Sequence, residues 1–193
     1  MREKPCAVMS ETTGERKGDR PMIKRLLNRL MLRKDPVAYW RKRGVKIGAD
    51  CEIYSSAHFG SEPYLVSLGD HVRINANVSF VTHDGGVWVL RRYLKTENAE
   101  KIDMFGKIKV GSNVHIGIGV TVMPGVSIGS NCIIGVGAIV TRDIPDNSVV
   151  VGVPARVIET VEEYAQKHMD DFLYTKGMSA AEKRLFLEKT LGQ

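Results

Sequence analysis

His83 is the side chain in this sequence best placed to do chemistry. It ends the run Val78-Ser79-Phe80-Val81-Thr82 and is followed by Asp84-Gly85-Gly86. Beyond it lies a long interruption, residues 84–107, holding Trp88, the pair Arg91-Arg92 and a polar run from Thr96 to Glu100. An irregular stretch of more than about 15 residues inside a compact domain is usually functional. A histidine, with an ordinary pKa near 6.5, can accept a proton at neutral pH. Asp84, next in the chain, could orient its imidazole or could simply begin the loop. The plain alternative for His83 is a histidine at a surface corner. Among the other histidines, His58 and His71 read as solvent-facing and His168 as part of a C-terminal helix. Cys6, Cys51 and Cys132 have neither metal-type nor disulfide-framework spacing.

The elements that position His83 announce themselves by a six-residue period. Aliphatic residues recur at Val110, Ile116, Val122, Ile128, Ile134 and Val140, and Gly111, Gly117, Gly129 and Gly135 follow four of them. Four residues after each aliphatic comes Val114, Val120, Val126, Cys132, Ala138 or Ile144. That period fits neither a helix nor simple strand alternation, and it is the hexapeptide signature of a parallel β-helix. Each hexapeptide makes one short wall of a triangular prism, and three make a coil. The aliphatic residue points inward, and glycine relieves crowding at the corner. Cys51 and Cys132 fall on inward positions, where cysteine acts as a small hydrophobe. A zinc site on such a prism needs three converging imidazoles. Position 120, five residues after His115, is Val120, so no metal is expected.

Along the chain of 193 residues, one domain with appendages is expected. Residues 1–21 read as a disordered tail. Residues 22–44 read as a basic helical cap, with Ile23, Leu26, Leu27, Leu30 and Met31 at helical spacing before Pro36 and a second short helix over 37–43. The β-helix runs from Val45 to about residue 158, with a first register break between Phe59 and Tyr64 and the longer loop at 84–107. Residues 159–193 read as C-terminal helices, over 161–168 and 180–191, packing back on the prism. Residues 22–46 hold nine lysines and arginines against Asp35 alone, whereas the whole chain is only +6. The body is therefore not basic, and bulk charge does not suggest nucleic acid. The basic segment is either a cap over the open first coil or an amphipathic surface for an anionic membrane. No apolar run approaches the roughly 20 residues that span a bilayer, and no secretory signal is visible, so the cytoplasm is the expected location.

Three stretches carry a family resemblance: Ser79 to Gly86, Ile128 to Pro145, and Val151-Gly152-Val153-Pro154-Ala155-Arg156-Val157-Ile158. Over roughly residues 45–158 the chain resembles the galactoside, maltose and capsular-polysaccharide O-acetyltransferases. The resemblance implies an all-β solenoid, a left-handed parallel β-helix assembled as a homotrimer with active sites between subunits. It implies acetyl-CoA as co-substrate and His83 as the base that deprotonates an acceptor hydroxyl. It further implies that Thr141, Arg142 and Arg156 meet the adenosine and phosphate end of CoA. Arginine suits phosphate through its planar donor fork, although a solvated surface charge is the plain alternative. Ile118 and Val136 match positions that touch CoA through backbone groups. His115 occupies a place where several relatives carry tryptophan, which makes it a candidate for the pantetheine channel.

One departure bears on the acceptor. Galactoside-type relatives carry a sugar-holding asparagine near the place of Ser55, so the acceptor is expected to differ. Tyr54, Ser55 and Tyr64 are its candidate contacts, and residues 61–83 look closer to the capsular and exopolysaccharide branch. The function expected is acetyl transfer to a sugar hydroxyl, on a saccharide or lipid-linked glycan of envelope polysaccharide synthesis, in the cytoplasm or peripherally at the inner membrane face. The alternatives are N-acetylation of an amino-sugar or xenobiotic amine, and a non-catalytic scaffold.

Overall fold

A computed structural model describes residues 19–192. Most of the expected tail, and Cys6, lie outside these residues. Helix α1 (Asp19–Lys34) begins within the last residues assigned to that tail. Helix α2 (Pro36–Lys42) follows at once. Asp35 separates them. Its Oδ1 accepts the Ala38 N–H at 2.8 Å, and Pro36 fills the first helical position, where no N–H is needed.

From Lys46 the chain winds through three faces in turn. The first face holds Lys46–Ile47, Val66–Leu68, Ile108–Val110 and Ser127–Ile128. The second holds Glu52–Ile53, Val72–Ile74, Val114–Ile116, Cys132–Ile134 and Ser148–Val151. The third holds Ser79–Phe80, Thr121–Val122 and Ile139–Val140, with His58 bridged to Ser79. All these pairings are parallel. In the regular coils Val114 pairs with Cys132 and Thr121 with Ile139, each 18 residues on. Three hexapeptides therefore close one coil.

Inside, the coils stack like on like. Ile53, Ile74, Ile116, Ile134 and Val150 form one aliphatic ladder, and all five are buried. Trp40 from α2 closes the open end, packing on Phe59, which stacks on Phe80 with ring centroids 4.7 Å apart at both steps. The repeated glycines answer to close approach. A Cβ on Gly111 would stand 2.6 to 2.7 Å from atoms of Gly129 and Ser130 in the next coil. The left-handed positions of that corner belong to other residues: Asp50, His71, Asn113, Asn131 and Asn147, with φ between 51° and 57°. Asparagine tolerates that conformation best among non-glycine residues. Here its amides also form a ladder, Asn113 donating to Asn131 at 2.8 Å and Asn131 to Asn147 at 3.0 Å.

The winding is interrupted twice, both times after the third face. Pro63–Leu65 forms a 3-10 turn in the first interruption. The second contains helix α3 (Val87–Tyr93) and a 3-10 turn at Ala99–Lys101. After the last coil, Arg156–Thr160 runs antiparallel to Ser148–Val151. Helix α4 (Val161–Lys167) starts on a capping box of Thr160 and Glu163 and packs on these strands. Helix α5 (Ala180–Leu191) differs from expectation: it buries none of its side chains. Among the described residues, no helix is long and apolar enough to cross a membrane.

Trp40→Ala should uncap the first coil, leaving Phe59 facing solvent. The cost expected from a buried Trp-to-Ala change is about 3 to 5 kcal/mol, read as a fall in the urea midpoint. A midpoint unchanged from the parent would show that the cap carries no stability.

Candidate functional site

His83 stands at the neck of the long loop. On either side of it, Gly106 N–H donates to Thr82 O at 3.0 Å and Asp84 N–H to Met104 O at 2.9 Å. His83 itself bridges to Phe105. The neck is thus a short antiparallel pair growing out of a parallel prism. It sits tightly on the coil that follows: a Cβ on Gly106 would collide with the Gly125 backbone. Thr82, fully buried beneath it, donates its hydroxyl to Glu62 at 3.2 Å.

The imidazole lies flat on Phe105, with ring centroids 4.9 Å apart and planes 26° from parallel. Its Nε2 faces Asp103 Oδ1 at 3.5 Å, within ion-pair reach but without hydrogen-bond geometry, and is enclosed with no hydrogen-bond partner. About a third of the side chain, 34%, stays open to solvent. Asp103 is held in turn by Arg91 from α3. Arg91 Nη2 donates to Asp103 Oδ1 at 2.5 Å, and Nε donates to Ile102 O at 3.0 Å. The positive guanidinium balances the carboxylate. The imidazole therefore borders a neutral ion pair rather than a bare charge.

Of the two readings of Asp84, orienting the ring or beginning the loop, the structure shows the second. Its Oδ1 accepts the Gly86 N–H at 2.7 Å and shapes the start of the loop. The carboxylate facing His83 is Asp103. Its proximity comes from antiparallel pairing of the two loop ends, 20 residues apart in sequence. The signal available was its place in Ile102-Asp103-Met104-Phe105, immediately before the repeat resumes.

Most of the remaining candidate residues fall on two ridges. The corner after the third face carries His83 and, two coils on, Thr141 and Arg142, both exposed. Tyr64 lies in the interruption that leaves this same corner one coil earlier. The corner before the third face carries Tyr54 and Ser55 in the first coil, then Ile118 and Val136 further along. Gly119 N–H donates to Ala76 O at 3.0 Å and Gly137 N–H to Ile118 O at 2.9 Å, which locks this ridge coil to coil. Ile118 and Val136 are 51% and 74% exposed, an apolar edge left in water. Arg156 stands apart on the final antiparallel strand, its Nη1 donating to Ala155 O at 2.8 Å. The residues expected to share one cofactor groove therefore flank the third face on opposite sides.

His115 lies on neither ridge. It sits mid-wall on the second face, in register between Arg73 and Ile133. It borders a cleft of about 340 Å³ that also takes in Glu52, His71, Asn131 and Lys176. Glu52 and Arg73 form an ion pair across it at 3.2 Å. Withdrawal from water, and then the charge of Arg73, hold the His115 pKa below the ordinary histidine value. Among the described residues, no group of His, Cys, Asp and Glu is arranged to hold a metal.

The family profile described as bacterial transferase hexapeptide (six repeats) matches residues 107–142. The chain is 46% identical over 167 residues to protein CapG of Staphylococcus aureus, a match covering 86% of this chain and 94% of CapG. It is 43% identical over 103 residues to galactoside O-acetyltransferase of Escherichia coli strain K12, covering 53% of this chain and 47% of that protein. In fold it is similar to a hexapeptide-repeat acetyltransferase of Vibrio cholerae O1 biovar eltor complexed with acetyl coenzyme A. That match has a TM-score of 0.55 at 17% identity, over 78% of this chain and 93% of the other.

The lowered pKa of His115 has a consequence for stability. The unfolded chain binds the proton more readily than the folded one, so stability present above about pH 6.5 should be lost as pH falls toward the lowered value. Urea midpoints should fall over that window, and His115→Gln should flatten the fall. By NMR the His115 ring should titrate below its ordinary value and rise only partway in Arg73→Gln, since burial remains. Full recovery in Arg73→Gln would contradict burial as the larger cause.

Proposed function

The chain belongs to the bacterial hexapeptide-repeat transferases and is an acetyl-CoA-dependent acyltransferase, and we propose that it acetylates a sugar hydroxyl with His83 as general base. The observation that carries this reading is the His83 neck. It joins a partly open imidazole, a fixed ion pair behind it, and a ridge leading to Arg142. In the proposed reaction the imidazole takes the acceptor O–H proton as the oxygen attacks the thioester carbonyl carbon. The tetrahedral oxyanion collapses with cleavage of the C–S bond, and the imidazolium returns the proton to the departing CoA sulfur. Acid–base help of this kind is worth roughly 10²- to 10⁴-fold. Phe105 stacks on the ring, and Asp103, held by Arg91, faces the charge that would develop on it.

The division of the candidate residues between two ridges supports assembly as a homotrimer on a left-handed prism. Different surfaces of one chain can meet only head to tail, and a head-to-tail contact that closes makes a ring. His83, Thr141 and Arg142 of one copy would then face Ile118 and Val136 of the next, with CoA extended between them. Arg156 and Arg142 would take its phosphates. Tyr54 and Ser55, on the same ridge as Ile118, and Tyr64, on the His83 side, would contact the acceptor. The 43% identity to a galactoside O-acetyltransferase supports a sugar hydroxyl. The acceptor classes are a nucleotide sugar, a lipid-linked glycan or a related saccharide of envelope polysaccharide synthesis, reached from the cytoplasm.

Thiol release from acetyl-CoA, measured against sugars, nucleotide sugars and amines, tests this. Release should require a hydroxyl acceptor and fall at least a hundredfold in His83→Ala, with the trimer intact by light scattering. Equal rates in both proteins would refute the base assignment, and release with amines alone would move the reading to N-acetylation. Asp103→Asn should lower kcat roughly tenfold or more with the acetyl-CoA KM little changed, and Asp103→Glu should recover part of it. A change confined to KM would assign Asp103 to binding instead.

A further inference from the structure

Helix α1 is apolar on two sides, and only one is used. Its inner side presents Met31 and Leu32, half-buried, with Leu32 packed against the core. On the outer side Met22, Leu26 and Leu30 recur every four residues, joined by Leu27. Leu26 and Leu27 are each 59% exposed and Leu30 54%. Arg25, Arg29, Arg33 and Lys34 border this stripe and are all exposed. Among the described residues, none of these four pairs with an acid. The other arginines of the cap are engaged: Arg41 donates to Ile47 O and Gly48 O, and Arg43 lies over the Tyr39 and Trp40 rings.

We propose that α1 is a docking surface for an anionic phospholipid bilayer, lying in the plane of the headgroups with Leu26, Leu27 and Leu30 inserted. The pattern is that of an interfacial helix. A short apolar stripe reaches the acyl boundary while flanking arginines stay among the phosphates. Charge decides the occupant. A second copy laid face to face would set Arg25, Arg29 and Arg33 against their own images, whereas anionic headgroups neutralise them. The surface lies at the start of the prism, on the outside of the α2 cap, so docking leaves the winding undisturbed. It would hold the enzyme beside a lipid-linked acceptor, but the docking itself does not rest on the acceptor reading.

The test is co-sedimentation of the full chain with vesicles, without CoA or acceptor. Vesicles of phosphatidylcholine mixed equally with phosphatidylglycerol should bind the protein at low salt and release most of it at high salt. Phosphatidylcholine alone should not bind it. Arg25→Glu/Arg29→Glu/Arg33→Glu should weaken partitioning roughly a hundredfold. Leu26→Ser/Leu27→Ser/Leu30→Ser should weaken it at least tenfold while its circular dichroism and size on gel filtration match the parent. Failure of the parent to bind anionic vesicles would overturn the proposal. So would a leucine variant that binds as well as the parent. A leucine variant of smaller assembly size would assign the stripe to a second copy and overturn it too. Thiol release with soluble acceptors, read on the same variants, keeps this outcome separate from that of the His83 reading.

Discussion

Backbone hydrogen bonding between successive coils is the constraint on which the molecule depends. Parallel strands sit roughly 4.8 Å apart, so each wall residue lies almost directly over its counterpart in the previous coil, 18 positions earlier where the coils are regular. Any misfit at one position recurs at every level. The inward residues must therefore agree in size as well as polarity, as Ile74, Ile116 and Ile134 do. Where the next coil passes within van der Waals range there is room for no side chain, hence Gly69, Gly111 and Gly129 on one corner. Where the chain must turn through a left-handed conformation the same corner uses Asn113, Asn131 and Asn147, whose amides bond to each other up the stack. Repetition thus turns a local preference into a ladder.

A rigid prism of this kind offers chemistry few places. Its walls are committed to hydrogen bonding and its interior is filled. What remains are the corners, where the chain can leave and return. Both excursions exit at the corner after the third face, and they are tied to one another through Glu62 and the buried hydroxyl of Thr82. The larger excursion returns through an antiparallel neck that clamps His83 between Phe105 and Asp103. In the role proposed for it, the imidazole is mounted where the prism meets the loop, while the ion pair that faces it comes from the loop. Precise placement on a rigid element, buttressed by a neighbouring shell, is what proton transfer requires.

The sequence made some of this readable and concealed the rest for identifiable reasons. The six-residue period is local, so the coils and inward ladders could be read directly, as could the two breaks in register. His83 was visible because it stands where the period stops. Asp103 was hidden because its nearness depends on pairing across the whole loop, which no short-range pattern encodes. The adjacent Asp84 is the carboxylate that short-range reading can offer, and it begins the loop, accepting the Gly86 N–H. Ile118 and Arg142 were grouped by family position, yet they belong to different corners. Corner identity depends on counting residues through each coil, and Ile118 lies before the third face while Arg142 lies after it. Helix α5 was legible as a helix, but not as one that buries none of its side chains.

The separation of the two ridges bears on how such a fold can bind a long cofactor at all. A prism with a filled interior and flat walls offers little depth in which to bury an extended nucleotide thioester, and stacked coils cannot hinge open to make it. The exposed apolar edge of Ile118 and Val136 and the polar ridge of Thr141 and Arg142 are each incomplete. The first offers contact without charge, and the second offers charge without cover. Set against each other across the proposed head-to-tail contact, they would supply both walls of a groove from two rigid bodies. Under the proposed ring, the groove would form with the assembly itself. Transfer would then need no induced closure of the prism, only the correct stacking of coils that places each ridge at the height of its neighbour's histidine.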